Sequence, residues 1–137
     1  MPSDIFGLDL VYEKQVDRTW EESANYGYFA GGATPGSNYY STIDRIDFST
    51  ETTSAPGKNL TQARSSLAAV SNSNYGYFGG GEAFPSAYSI IDRLDFSTET
   101  VEIRPSLLTA GRTRLSAVSS NNYGYFGGGA TLPPLVT

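Results

Sequence analysis

The phrase Asn-Tyr-Gly-Tyr-Phe, followed at once by small residues and glycines, occurs three times in this chain. The copies begin at Asn25, Asn74 and Asn122, a period of 49 and then 48 residues. The stretches between them repeat as well: residues 41–52 align with 89–100, and 59–70 with 107–118. A chain that returns to one phrase at such an interval folds as a series of equivalent units, each burying its apolar face against the next. The glycines Gly32 and Gly81 are 49 apart, whereas the Ile-Asp-Arg segments that follow are 48 apart. One residue is therefore gained or lost between them. A slip inside a strand would turn every later side chain to the wrong face, so the change belongs to loops at 33–40 and 82–88.

Each period resolves into four short strands. In the second period they are predicted at 67–71, 75–79, 90–96 and 100–104, the last stopped by Pro105, which has no amide to give to a ladder. Asn72-Ser73-Asn74 separates the first two, and Asp95-Phe96-Ser97-Thr98 separates the last two, both with side chains that bond locally to backbone. No window carries a helical stripe, so the expected class is all-β. Four short strands per period of about fifty describe one blade of a β-propeller. The reading divides the chain into a non-repeating segment 1–24 and a propeller segment 25–137, cut at about 25–73, 74–121 and a partial 122–137. The third copy lacks its third and fourth strands. With 137 residues there are just under three periods, fewer than the ~4–8 blades of a usual ring. Completion is expected from other copies, as a dimer or trimer, or from a larger partner. Segment 1–24 is expected either to lend a strand or to anchor the protein.

Within strand 75–79, Tyr75 and Tyr77 face one way while Gly76 and Phe78 face the other, which suits a sheet covered on both sides. Gly79, Gly80 and Gly81 are expected where backbone must approach closely. They do not form a phosphate-binding loop, because Glu82 follows where a Lys and a helix would be needed. Arg45 and Arg93 lie two residues before Asp47 and Asp95, on the same face. They read as repeated ion pairs, or as arginines reaching carboxylates or carbonyls of the next unit, and so do Arg64 and Arg112.

These residues resemble the kelch repeat, whose blade carries an early Arg, small residues, an aromatic strand ending in Gly-Gly, and an Asp-Pro-x-Thr-like turn. Arg64, Ala68-Ala69-Val70, Tyr77-Phe78-Gly79-Gly80-Gly81 and Asp95 to Thr100 match in that order. The resemblance covers about 25–129. It departs where the family places a Trp after the turn, since Thr53 and Val101 stand there and Trp20 lies outside the repeat. The near-identical copies are more specifically similar to kelch-like repeats of marine bacteriophage virion and tail-fibre-like proteins. That implies a non-enzymatic structural or attachment component of a phage particle, located in the virion, with larger virion proteins or further copies as partners.

Composition narrows the chemistry. There is no Cys and no His, so thiolate or imidazole metal sites, Ser-His-Asp triads and Cys-His pairs are excluded. This also removes the copper oxidase chemistry of some kelch-like proteins. A carboxylate glycoside hydrolase survives as a remote alternative. Its obvious residues, Asp44, Asp47, Asp92 and Asp95, occupy equivalent places in successive units, whereas catalysis needs two different environments. The expectation is no enzyme and no cofactor or metal. A net charge of −5 without a basic cluster argues against nucleic acid. No basic leader or long apolar run is seen, so a soluble protein without signal peptide or membrane insertion is expected.

Recognition, where it occurs, belongs to loops that differ between units. The loops at 33–40 and 82–88 carry Tyr39, Tyr40, Phe84 and Tyr88, residue types that stack on sugar faces or anchor interfaces. The alternative function is therefore an oligomeric lectin-like module that binds a surface glycan. The bland reading is that these aromatics cover a sheet edge.

Overall fold

The computed structural model describes residues 25–132. Among the described residues every regular element is a strand. In chain order they are β1 (Tyr26–Ala30), β2 (Ala33–Thr34), β3 (Asn38–Tyr39), β4 (Ile43–Asp47), β5 (Thr52–Ser54), β6 (Ala68–Ser71), β7 (Tyr75–Gly79), β8 (Glu82–Ala83), β9 (Ser86–Ala87), β10 (Ile91–Asp95), β11 (Val101–Ile103), β12 (Thr113–Ser119) and β13 (Gly124–Ala130). They form a three-stranded sheet β1-β4-β5, a four-stranded sheet β11-β10-β7-β6, a β12-β13 pair, and two small hairpins β2-β3 and β8-β9. All pairings are antiparallel. The expectations for segment 1–24 lie outside the described residues. Among those described, no helix is long and apolar enough to cross a membrane.

The central sheet follows the sequence pattern closely. Gly76 and Phe78 are buried while Tyr75 and Tyr77 are half-buried, the alternation of an extended strand. The turns are made by the expected side chains. Asn72 Oδ1 accepts from the amides of Asn74 and Tyr75 at 2.9 and 2.8 Å. Asp95 Oδ1 accepts from the amide and hydroxyl of Ser97 at 2.8 and 2.6 Å, and Asp47 does the same with Ser49 at 2.8 and 2.5 Å. Successive sheets thus reverse by one device.

The segments expected as plain loops, 33–40 and 82–88, instead each fold back as a two-residue hairpin. β2 and β3 are joined through Pro35, Gly36 and Ser37, β8 and β9 through Phe84 and Pro85 only. The extra residue of the first copy sits in that turn, where Gly36 and Ser37 take the positive φ values of 91° and 63° that a tight reversal demands. Strands this short show no periodicity in sequence, and for that reason only the turn residues announced them.

The core is small and lies between the first and second sheets. Ile43, Leu60, Phe78 and Leu94 are buried together, with Tyr28, Ala30, Leu67, Phe96 and Val101 packed around them. Each fully buried side chain of this kind stabilises the fold by about 1.5–3 kcal/mol. The glycine cluster brings the next sheet close. A Cβ on Gly79 would lie 2.7 Å from the ring of Phe126, and one on Gly80, whose φ is +68°, would lie 2.6 Å from Leu115. The glycines serve approach between units, as their position after an aromatic strand suggested.

Candidate functional site

Of the four loop aromatics, Tyr39 and Phe84 are brought together: the Tyr39 hydroxyl accepts a hydrogen bond from the Phe84 amide at 3.0 Å. The β2-β3 and β8-β9 hairpins of successive units therefore stand side by side. Tyr39 spends its polar tip on that bond and is half-buried. Phe84 remains 61% exposed and Tyr40 45% exposed, the latter with its hydroxyl 3.3 Å from Thr34 Oγ1. Tyr88 is half-buried, and its backbone ties the unit together, donating to Gly81 O at 2.8 Å and accepting from the Arg112 amide at 3.1 Å. Two of the four thus offer open aromatic faces, and two hold the hairpins in place.

Two of the five ion pairs among the described residues, Arg64–Asp92 and Arg45–Glu99, run between units. Arg64 is fully buried. Its Nε donates to Gly80 O at 2.7 Å, Nη2 to Phe78 O at 3.1 Å, and Nη1 to Gln62 O at 3.0 Å and to Asp92 Oδ2 at 2.9 Å. Asp92, also fully buried, further accepts from the Thr61 hydroxyl at 2.6 Å and its amide at 3.1 Å. Both readings of this arginine meet here, since it binds a carboxylate and carbonyls at once.

Arg45 and Arg93 do not make the same-face bonds to Asp47 and Asp95 that their spacing suggested. Arg45 Nη1 donates to Glu99 Oε1 of the next sheet at 2.6 Å, and the Tyr28 hydroxyl donates to the same oxygen at 3.1 Å. The Tyr28 ring stacks on Phe96, centroids 5.3 Å apart. Arg93 instead pairs with Glu102, its direct cross-strand neighbour. Both guanidinium groups also lie over a tyrosine, Arg45 on Tyr26 at 4.5 Å and Arg93 on Tyr75 at 4.4 Å. Sequence reasoning missed Glu99. Its signal was available, because Glu51 and Glu99 belong to the same repeated phrase as the Asp turns; the structure gives both the same positive φ, 54° and 53°.

Burial, then the Glu99 carboxylate beside it, pushes the Tyr28 phenol up to about 12. The hydrogen bonds of Ser49 and Ser97, hydroxyl before amide, hold Asp47 and Asp95 below the usual carboxylate range. These carboxylates stay ionised and act as acceptors in turns. Asp44, the equivalent of buried Asp92, is exposed. Among the described residues no cluster of three or more acidic side chains is placed to hold a metal ion. No family model matches the chain, and no curated protein matches it.

Proposed function

We propose that the chain is a run of kelch-like β-propeller blades that serves, without catalysis, as a structural or attachment component of a phage particle. The observation that carries this reading is the junction between the first two sheets. There the repeated polar residues Arg45, Arg64, Asp92 and Glu99 are consumed in binding one unit to the next. Side chains spent on holding one unit to the next act as scaffold, and at this junction no pair of carboxylates faces a common space as paired acid–base catalysis requires. The four-stranded meander β11-β10-β7-β6 has the strand order of a blade, and the sheets on either side of it are incomplete among the described residues. A ring closed by further copies or by a larger virion protein would satisfy them. The phage assignment rests on the likeness of the repeated phrases to phage virion repeats. Mass spectrometry of particles purified from a lysate expressing the gene tests it. The chain should be present at constant copy number through successive purification steps, and its confinement to the soluble fraction would refute the reading.

One observation favours a lectin-like role for the same scaffold. Tyr40 and Phe84 are exposed on hairpins held side by side by the Tyr39–Phe84 bond, and flat exposed aromatics stack on sugar faces. A glycan array probed with the assembled protein should show binding that falls at least tenfold when both residues are replaced by Ala. Unchanged binding in that variant would remove these loops from the site.

A further inference from the structure

The junction between the first and second units defines a rule that can be followed to both ends of the stack. Three pairs make it: Asp92 with Arg64 and Thr61, Phe96 with Tyr28, and Glu99 with Arg45. Their equivalents in the first unit are Asp44, Phe48 and Glu51. All three are exposed, Phe48 by 60%. At the other end the equivalents of Arg64, Thr61, Tyr28 and Arg45 are Arg112, Thr109, Tyr77 and Arg93. Arg112 keeps one of the carbonyl bonds made by Arg64, to Gly128 O at 3.1 Å, and Arg93 turns to Glu102 instead. The first unit thus presents the acidic and aromatic half of the junction, and the last presents the basic and tyrosine half.

Two clefts flank β13 where the other half belongs. One, of about 370 Å³, is lined by Leu108, Thr109, Arg112, Leu115 and Phe126, the place that corresponds to the Asp92 carboxylate. The second, of about 360 Å³, is lined by Tyr77, Gly124 and Phe126 among others. Phe48 and Phe96 cover the strand glycines Gly27 and Gly76 of their own sheets, at 2.8 and 3.2 Å from a built Cβ. Gly124 is the third glycine of this series, and the second cleft opens beside it.

We infer that a second copy of this chain fills these clefts by strand exchange, β13 of one copy replacing β1 of the other against its β4. This rests on the reading that copies complete one another, and it specifies the joint. The strands are interchangeable because both carry Tyr-Gly-Tyr-Phe. Their registers agree: Tyr28 faces Arg45 on β4, Tyr77 faces Arg93 and Val70, and Tyr125 faces Val118 on β12. Exchange joins β12-β13 to the partner's β4-β5 and yields a sheet with the strand order of β11-β10-β7-β6. It seats the second copy's Asp44 by Arg112 and Thr109, its Phe48 by Tyr77, and its Glu51 by Arg93. The charges are complementary at two of the three places. Counted over the described residues, each copy then owns one complete sheet and shares two joints, so two copies supply four sheets and three supply six.

Cysteine pairing tests this directly, because the chain contains no Cys. Tyr26 is the register partner of Asp47, and Tyr123 is the equivalent of Tyr26. A chain carrying Asp47→Cys mixed with one carrying Tyr123→Cys should, on mild oxidation, give a disulfide-linked dimer in high yield. Phe48→Ala, which touches an exposed ring, should weaken self-association of the wild-type background roughly tenfold. The proposal is overturned if the mixed chains stay unlinked while Y26C/D47C closes quantitatively within one chain. It is equally overturned if self-association is unaffected by F48A and no intermolecular disulfide forms. A monomer that is nevertheless found in purified particles would sink this joint and leave the particle role standing.

Discussion

The buried Arg64–Asp92 pair shows how much one residue can owe to its place in a repeat. Removing one partner of such a pair leaves the other charged and dry, a cost of about 3–5 kcal/mol. Asp92→Ala should therefore lower unfolding free energy by that amount in a urea titration. Arg112→Ala, at the equivalent but half-exposed position, should cost under ~1 kcal/mol in the isolated chain. Equal effects at both positions would show that burial is not what makes Arg64 matter. The sequence disclosed that Arg64 and Arg112 are equivalent. It did not disclose the partner, because Asp92 is contributed by a strand far along the chain and pattern alone cannot say which carboxylate comes near.

Titration belongs to the same scale. Asp47 and Asp95 are held below the ordinary carboxylate value of 3.8 by Ser49 and Ser97. A depressed carboxylate contributes stability that is present above its unfolded pKa and lost as pH falls through the folded one. Thermal melts should be flat above about pH 5 and decline below 3.8, less steeply in the double variant D47N/D95N. Tyr28 runs the other way. Its folded pKa of about 12 exceeds the ordinary phenol value of 10.0, so its contribution is complete below pH 10 and disappears as pH rises through 12. In the unexchanged monomer, ultraviolet absorbance should show a tyrosine ionising near pH 12, and Y28F should remove that step.

At the scale of elements, the glycine runs and the turns carry the argument. Gly79 and Gly127 are equivalent in sequence, but a Cβ on Gly79 would meet Phe126 at 2.7 Å, whereas Gly127 has nothing within 4 Å. Gly79→Ala should destabilise by about 1–3 kcal/mol through overpacking, and Gly127→Ala should leave stability within ~0.5 kcal/mol. A chemical denaturation series on the two variants checks the contrast. Most strands were legible because alternation, Asx turns and the repeated phrase agree with one another. β10 is one residue shorter at each end than predicted, a fraying of boundaries that hydrogen bonds decide and side chains do not. The hairpins β2-β3 and β8-β9 were not legible, since two residues cannot show a period. In the candidate loops the aromatic residues could be read off directly. That the Tyr39 hydroxyl accepts from a neighbouring amide, leaving only Tyr40 and Phe84 open, required the fold.

At the scale of the whole molecule, the units are joined by a shared core as well as by polar contacts. The best-buried apolar cluster lies between sheets, and the most specific bonds cross from one unit to the next. Stacks of this kind need their terminal faces covered. Among the described residues, the first and last sheets carry unlike halves of one junction, which is the condition for head-to-tail closure and not for pairing of identical surfaces. The proposed strand exchange follows from those faces.

Native mass spectrometry of the purified 137-residue chain, from low to high micromolar concentration, tests the central claim most directly. The account predicts a single closed species of two or three copies that does not grow further with concentration. A chain that stays monomeric and folded throughout that range, with Asp44, Phe48 and Glu51 freely accessible, would contradict it.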